Sequence, residues 1–205
     1  FGKPTAFSAE LSFHSLKKAS EAFNKKEIDV LITAPINKAS IQQQVSDFIG
    51  HTEFLQDNFN GDSLMIMISD KMKIAFVTGH LPLKEVRQSI TTQNIIAKTK
   101  KLNTSLIEDF GIRRPKIAVL GLNPHAGENG LLGEEEGKYI IPAIKELKNE
   151  GVMCFGPYPA DSFFSNKNLD QFDGILSMYH DQGLTAFKTL SFSDGVNYTA
   201  GLNIV

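Results

Sequence analysis

Apolar positions along the chain follow two patterns, continuous runs of strand length and longer stretches with a helical repeat. Continuous apolar runs bounded by polar or turn residues are typical of buried strands. Such runs occur at 29–33, 64–68, 73–78, 116–120 and 174–178. The short segment 69–72 has the length of a hairpin turn, so the second and third runs are predicted to pair antiparallel.

Three segments repeat their apolar residues every three or four positions, which is the spacing of one helix face. The first extends from Leu11 to Phe23, the second begins at Thr91 or Thr92, and the third covers 134–150. Gly111 ends the second segment, because glycine accepts the left-handed backbone found after helix ends. Alternating helices and continuously apolar strands predict an α/β fold, in which helices cover both faces of a mixed sheet.

Composition and charge exclude several classes of protein. The chain has 205 residues, with 21 Lys and Arg against 23 Asp and Glu, and therefore lacks the basic excess that nucleic acids or anionic membranes attract. Its apolar runs are far shorter than the roughly 20 residues of a membrane span. A single cysteine, Cys154, forms no intramolecular disulfide and is typical of a reducing compartment. We therefore expect a cytoplasmic protein with neither a nucleic-acid nor a membrane partner.

Three histidines follow predicted strands directly: His80, His125 and His180. Ligands of open α/β sheets bind beyond the carboxyl ends of the strands, so these imidazoles are expected at one edge. Neutral imidazole suits divalent first-row metals, and three protein ligands leave coordination positions open for a substrate. One interpretation is therefore a metal site. The other is that each histidine is a hydrogen-bonded structural residue, since the long spacing matches no local metal motif.

The chain has no dinucleotide-binding fingerprint. The segment 127–133 is rich in glycine, but it follows neither the GxGxxG nor the GxxxxGK[ST] pattern. Any NAD site must therefore be of a non-Rossmann kind, and its contact residues stay unknown at this point.

Six motifs, distributed from one end of the chain to the other, carry a family resemblance. They are Thr33–Lys38, Gly50–Phe54, Thr78–Leu83, Gly121–Glu128, Gly156–Asp161 and Met178–Gly183. Together they closely resemble the PdxA family, the 4-hydroxythreonine-4-phosphate dehydrogenases of pyridoxal phosphate (vitamin B6) biosynthesis. The resemblance implies an isocitrate-dehydrogenase-like α/β/α sandwich and a homodimer with its active sites at the interface.

The family pattern extends beyond both ends of the chain. Its early Asp-Pro-x-Gly-Ile-Gly-Pro-Glu segment and its later His-Gly-Thr-Ala segment, on the cofactor side, have no counterpart here. A substrate-binding arginine follows the position of Val205 in the family. The resemblance thus implies that 1–205 is the central portion of a two-subdomain enzyme, truncated at both ends and inactive alone, and we predict no boundary within it.

The resemblance also implies roles for individual residues. The family's metal-binding histidines match His80, His125 and His180. Its substrate-binding residues match His51, Thr52, Lys188 and Asn197. Without the resemblance, Lys188 is simply a solvated cation and Thr52 a helix N-cap.

The implied reaction is oxidation of the secondary alcohol of 4-phosphohydroxy-L-threonine by NAD. Decarboxylation to 3-amino-2-oxopropyl phosphate follows. A divalent ion (zinc, magnesium or cobalt) would stabilise negative charge on the substrate oxygen in both steps. Asp161 and Asp181 are candidates for orienting an imidazole or moving a proton, although an aspartate at a helix start also serves as a cap.

Three other hypotheses remain open. A PdxA-like dehydrogenase could act on D-threonate 4-phosphate, D-erythronate 4-phosphate or a dihydrodiol carboxylate. A metal-dependent hydrolase or lyase would use the same histidines to activate water and would need no nicotinamide. A folded but non-catalytic fragment is the third.

Overall fold

The computed structural model describes residues 3–29, 31–59 and 61–202. The chain divides into two compact units. The N-terminal unit comprises Phe1–Ser63 with Leu202–Val205, and the sheet unit comprises Leu64–Gly201. That the chain is the central portion of a two-subdomain enzyme stays a prediction.

Six strands form one mixed sheet in the order β4-β3-β5-β2-β1-β6. They are β1 (Gly61–Ile68), β2 (Lys73–Thr78), β3 (Ile117–Leu120), β4 (Cys154–Tyr158), β5 (Gly174–Tyr179) and β6 (Val196–Leu202). The neighbours β4, β3, β5 and β2 run parallel, whereas β1 pairs with β2 antiparallel. The predicted mixed sheet and its hairpin are confirmed.

Nine α-helices lie within the described residues. They are α1 (Ala6–Asn24), α2 (Lys38–Gln42), α3 (His51–Asn58), α4 (Leu83–Ser89), α5 (Thr92–Glu108), α6 (Ile141–Asn149), α7 (Ala160–Phe163), α8 (Asn166–Leu169) and α9 (His180–Leu190). The helix predicted to start near Thr91 begins with the Thr91 side chain accepting a hydrogen bond from the backbone N–H of Asn94. The helix predicted at 134–150 is divided, because a π-helical turn at Glu136–Ile140 precedes α6.

Successive residues of the central strands enter two different cores. On β5, Leu176 belongs to a core that also contains Leu102 of α5 and Leu147 of α6. Its neighbour Ile175 belongs to a second core, which contains Phe187 of α9. Side chains alternate across a strand, so these cores lie on opposite faces of the sheet. The predicted α/β/α sandwich is confirmed.

The prediction of a buried strand at 29–33 is wrong for the residues of this run that the structure describes. Val30 lies outside the described residues. Residues 31–37 have no regular secondary structure, and Ile32 is 89% exposed. An apolar run becomes a strand only where a neighbouring strand offers it backbone partners and packing. The sheet formed by β1 to β6 includes no pairing with this segment.

The N-terminal unit has a core of its own. Leu16 of α1 and Ile41 of α2 are buried in it, and the Phe13 ring meets the rings of Phe48 and Phe54 edge-on. The Thr5 and Ser8 side chains form a capping box at the start of α1. In neither unit do the described residues include a helix both long and apolar enough to cross a membrane.

Candidate active site

Two of the predicted metal ligands meet at the carboxyl ends of β2 and β5. The two strands are parallel neighbours, and Thr78 is the register partner of Tyr179. His80 follows β2 by two residues and His180 is the first residue of α9, so both imidazoles leave the sheet at the same level. Their ring centroids are 4.9 Å apart. The structure therefore brings together these two histidines, as their strand-end positions predict.

An open cavity of about 510 Å³ contains this histidine pair. Leu81, Leu83, Val86 and Tyr179 also line it. The Asp181 carboxylate lies 2.7 Å from Nδ1 of His180, close enough for a hydrogen bond that fixes both ring orientation and tautomer. With Nδ1 donating to Asp181, Nε2 is the nitrogen left to bind a ligand.

The third predicted ligand, His125, lies in a turn that follows β3. This turn covers Pro124–Gly130, and its residues do not line the cavity around His80 and His180. Within the described ranges, no group of three or more His, Cys, Asp or Glu side chains is placed to hold a metal ion. In the described part of the chain, His80 and His180 lie side by side in one cavity, and His125 does not line that cavity.

The two predicted catalytic carboxylates share a second cavity. Asp161, in the first turn of α7, and Asp181, in the first turn of α9, line an open space of about 620 Å³ together with Gln182 and Thr185. Asp181 also lines the cavity of the histidine pair, whereas Asp161 does not. Of the two, only Asp181 contacts a predicted ligand, because it lies against His180.

Two of the predicted substrate residues lie in the sheet unit. Lys188 is exposed in the last turn of α9, eight positions after His180. Asn197 is exposed on β6, at one edge of the sheet. Neither of them lines the cavity of the histidine pair.

The other two predicted substrate residues begin α3 in the N-terminal unit. His51 is half-buried, and its Nε2 is buried without a hydrogen-bond partner. Burial, and secondly the charge of Lys38, lower the pKa of His51 below its ordinary value of 6.5. The ring lines a cavity of about 320 Å³, and Ser12, Ser15 and Thr33 line it as well. Thr52 is the second residue of α3, and its side chain lies outside the described part of the chain.

Sequence reasoning missed a set of polar residues around the end of β3. Glu135 is 5% exposed, accepts a hydrogen bond from Asn123 Nδ2 at 2.8 Å, and forms an ion pair with Arg87. The Asn123 bond and, secondly, Arg87 lower the pKa of Glu135 to about 2. Glu136 is buried beside it, and Gln182 reaches the same edge from α9. The available signal was the run of three glutamates at 134–136, directly after the glycine-rich segment, which does not by itself indicate burial.

The donor chemistry of the histidine pair fits a divalent metal. Imidazole nitrogens are good ligands for first-row divalent ions, and a carboxylate behind one imidazole is the arrangement that orients a ligating histidine. His180 with Asp181 behind it has this arrangement, and His80 lies beside it. The pair supplies two of the three ligands that the sequence predicts.

Comparison with known proteins identifies the family. The family described as pyridoxal phosphate biosynthetic protein PdxA matches residues 1–205. A 4-hydroxythreonine-4-phosphate dehydrogenase from Bacteroides thetaiotaomicron is 48% identical over 207 residues, which cover 100% of this chain and 57% of the relative. One from Methylococcus capsulatus is 40% identical, with 100% of this chain and 62% of the relative covered.

Solved structures give the same result. The crystal structure of a 4-hydroxythreonine-4-phosphate dehydrogenase from Klebsiella pneumoniae superposes with a TM-score of 0.87 at 34% identity, covering 99% of this chain and 61% of that one. A terephthalate dihydrodiol dehydrogenase from Burkholderia xenovorans, at 23% identity and a TM-score of 0.75, shares the fold. The chain spans roughly three fifths of the length of these proteins. It belongs to the PdxA family.

Proposed function

We propose that the protein containing this chain is an NAD- and metal-dependent dehydrogenase of vitamin B6 biosynthesis. It would oxidise 4-phosphohydroxy-L-threonine and decarboxylate the product to 3-amino-2-oxopropyl phosphate. The observation that carries the proposal is the pair of strand-end imidazoles, His80 and His180, in a cavity of a chain that belongs to the PdxA family. Family membership supports the proposed reaction, and the histidine pair supports a metal in this cavity.

His80, His180 and His125 would hold one zinc, magnesium or cobalt ion. When bound, such an ion supplies Lewis-acid stabilisation of negative charge on a substrate oxygen. Asp181 holds the His180 ring in one orientation through Nδ1. The apolar side chains of Leu83 and Val86 cover part of the cavity wall, which lowers the local polarity and strengthens charge interactions there. Asp161 is the remaining candidate for moving a proton.

We assign the phosphate end of the substrate to His51, Thr52, Lys188 and Asn197, with the arginine that follows the position of Val205 in the family. Lys188 supplies a positive charge, and its last-turn position leaves the ammonium exposed to an incoming anion. The lowered pKa of His51 keeps its imidazole neutral at pH 7, so it acts as a hydrogen-bonding group rather than a cation. The unpartnered Nε2 of His51 is the atom left to contact a ligand.

The active unit that we propose is a cytoplasmic homodimer with its sites at the interface. The support is the family resemblance. Sedimentation of the complete gene product at micromolar concentration is expected to give a dimer, and a monomer would contradict this part of the proposal.

The function is tested by a coupled measurement on the complete gene product. NADH and carbon dioxide are quantified together after addition of 4-phosphohydroxy-L-threonine, NAD and a divalent metal. We expect one NADH for each carbon dioxide and no turnover after chelation of the metal. Metal-dependent turnover without NADH would instead indicate a hydrolase or lyase. Turnover only of D-threonate 4-phosphate, D-erythronate 4-phosphate or a dihydrodiol carboxylate would identify a PdxA-like enzyme for another substrate.

A further inference from the structure

The backbone leaving β3 is held by side chains from distant parts of the sequence. The carbonyl of Gly121 accepts a hydrogen bond from Gln182 Nε2 at 2.7 Å. The next two backbone N–H groups, of Leu122 and Asn123, both donate to Oε1 of Glu136 at 2.7 Å. Three consecutive residues just before His125 are thus fixed by two long-range side chains.

Gln182 also holds the end of β5. Its Oε1 accepts a hydrogen bond from the backbone N–H of Met178 at 2.7 Å, while its Nε2 binds Gly121. Gln182 lies in the first turn of α9, two residues after His180. One amide side chain therefore connects the strand that leads to His180 with the strand that leads to His125.

Glu136 supports the turn itself. The carboxylate is 3% exposed, and its Oε2 accepts a third hydrogen bond, from Asn123 Nδ2 at 2.9 Å. A Cβ at Gly127 would lie 2.6 Å from that same Oε2, so the turn passes directly over the carboxylate. A buried carboxylate needs such donors, and here all three belong to Leu122 and Asn123, just before the turn.

The turn has left-handed backbone and some hydrogen bonds of its own, such as that from the Leu132 N–H to the Gly127 carbonyl. His125, Ala126, Gly127, Glu128 and Asn129 have φ values of 52°, 51°, 78°, 41° and 56°. Four of the five are not glycine, and such residues adopt left-handed backbone at an energetic cost. Conformations of this kind persist where surrounding contacts determine them. The Glu136 carboxylate lies against Gly127, and the bonds from Glu136 and Gln182 fix residues 121–123, from which the turn starts.

We propose that Glu136 and Gln182 are positioning residues, which fix the turn carrying His125 relative to the helix that begins at His180. The inference rests on the proposed function, in which both histidines bind the metal. Neither Glu136 nor Gln182 lines the cavity of the histidine pair, so each acts through the backbone that it holds. Carboxylates and amides that orient ligands in this way typically change metal affinity ten- to a hundred-fold when replaced.

The test uses the complete gene product loaded with Co²⁺. Glu136→Gln removes the charged acceptor, and Gln182→Met removes both hydrogen bonds at nearly constant volume. The matched controls are Glu146→Gln, at an exposed position of α6, and Gln171→Met, at an exposed position where the amide donates to the nearby carbonyl of Lys167. Co²⁺ affinity, the visible absorption spectrum of bound Co²⁺ and hydrogen exchange of segment 121–133 are measured for each.

We expect both positioning variants to bind Co²⁺ at least ten-fold more weakly, with an altered spectrum and faster exchange in 121–133, and with unchanged far-ultraviolet circular dichroism. The controls should stay within two-fold of wild type. If Glu136→Gln does not fold, Glu136→Asp, whose carboxylate is one methylene shorter, gives the same test with the same expected result.

His125→Ala separates the two ways in which the account can fail. Wild-type Co²⁺ affinity in a folded Glu136 or Gln182 variant, with affinity lost in His125→Ala, overturns the positioning role and leaves the proposed function intact. Wild-type affinity in His125→Ala overturns the metal role of His125 and the positioning role with it.

Discussion

Two regions of the sheet edge present histidines in opposite ways. At the end of β5, His180 lies at a regular strand-to-helix connection, and its ring packs beside Phe76 and His80. At the end of β3, His125 lies in a left-handed turn, and Glu136 and Gln182 hold the backbone of residues 121–123 just before it. We call these the His180 connection and the His125 turn. Apolar packing is prominent at the first, which Gln182 also holds through the N–H of Met178, and buried hydrogen bonds are prominent at the second.

The difference shows how each kind of backbone stabilises the position of a histidine. A strand-to-helix connection fixes a side chain through elements that are stable for other reasons, so the histidine adds no strain. A left-handed turn can place a side chain in a position that a helix or strand does not reach. Its backbone conformation is stable only when surrounding groups, such as fully hydrogen-bonded buried polar side chains, hold it. Changes in packing should therefore act on the His180 connection, and changes in polar groups on the His125 turn.

The largest expected effect is a loss of packing under the His180 connection. Phe187 of α9 is 1% exposed in the core on that face of the sheet, and Phe187→Ala should destabilise the protein by about 3–5 kcal/mol. Urea unfolding measures the change. Phe192→Ala, at a position that is 82% exposed, is the control and should change stability by less than about 0.5 kcal/mol. Equal effects of the two would mean that α9 is not packed as described.

The next effect concerns charge beside the His125 turn. The pKa of Glu135 is lowered from 4.5 to about 2, which at about 1.4 kcal/mol per pKa unit corresponds to roughly 3 kcal/mol of stability at neutral pH. This contribution is complete above pH 4.5 and is lost as the pH falls towards 2. The stability difference between wild type and Glu135→Gln should therefore narrow between pH 5 and pH 3 in urea titrations.

Glu146→Gln is the control for that titration, since Glu146 is exposed on the neighbouring α6. Its stability difference from wild type should stay small at every pH. If the stability difference between wild type and Glu135→Gln does not change with pH, then Arg87 and Asn123 do not stabilise the charged form of the Glu135 carboxylate.

A smaller effect is expected from overpacking at the His180 connection. A Cβ at Gly183 would lie 2.7 Å from Ile74 Cδ1 and 2.7 Å from Ser177 Oγ, so Gly183→Ala should push α9 away from the sheet. The expected loss is about 1–3 kcal/mol by thermal or urea unfolding. Gly137→Ala provides the contrast, because a Cβ there meets nothing within 4 Å and alanine favours the helix by up to about 1 kcal/mol. If Gly183→Ala is as stable as Gly137→Ala, then α9 does not approach Ile74 and Ser177 as closely as described.

The same contrast explains how far the sequence could predict the molecule. The strands β2 and β5 are continuous apolar runs, so their position, and that of the histidines after them, follows from local pattern. Strand β4 contains Gly156 and Pro157, which interrupt the apolar pattern, and it was not predicted. The run at 29–33 carried the same local signal as a true strand, but the sheet includes no pairing with 31–37.

The His125 turn could not be derived from local pattern. The bonds that hold the residues before it join Glu136 to Leu122 and Gln182 to Gly121, separations of 14 and 61 residues. Whether a glutamate is buried and paired depends on tertiary contacts, and neither residue type signals it. The position after a predicted strand and the family motif both pointed to His125, while the residues that hold the backbone before its turn became apparent only in three dimensions.

The central claim, that both regions serve one metal ion, is tested most directly by metal content. The complete gene product and its His80→Ala, His125→Ala and His180→Ala variants are dialysed against Zn²⁺ and analysed for bound metal and affinity. We predict one ion per chain in wild type and at least about ten-fold weaker binding in each of the three variants. Unchanged stoichiometry and affinity in all three would contradict the claim.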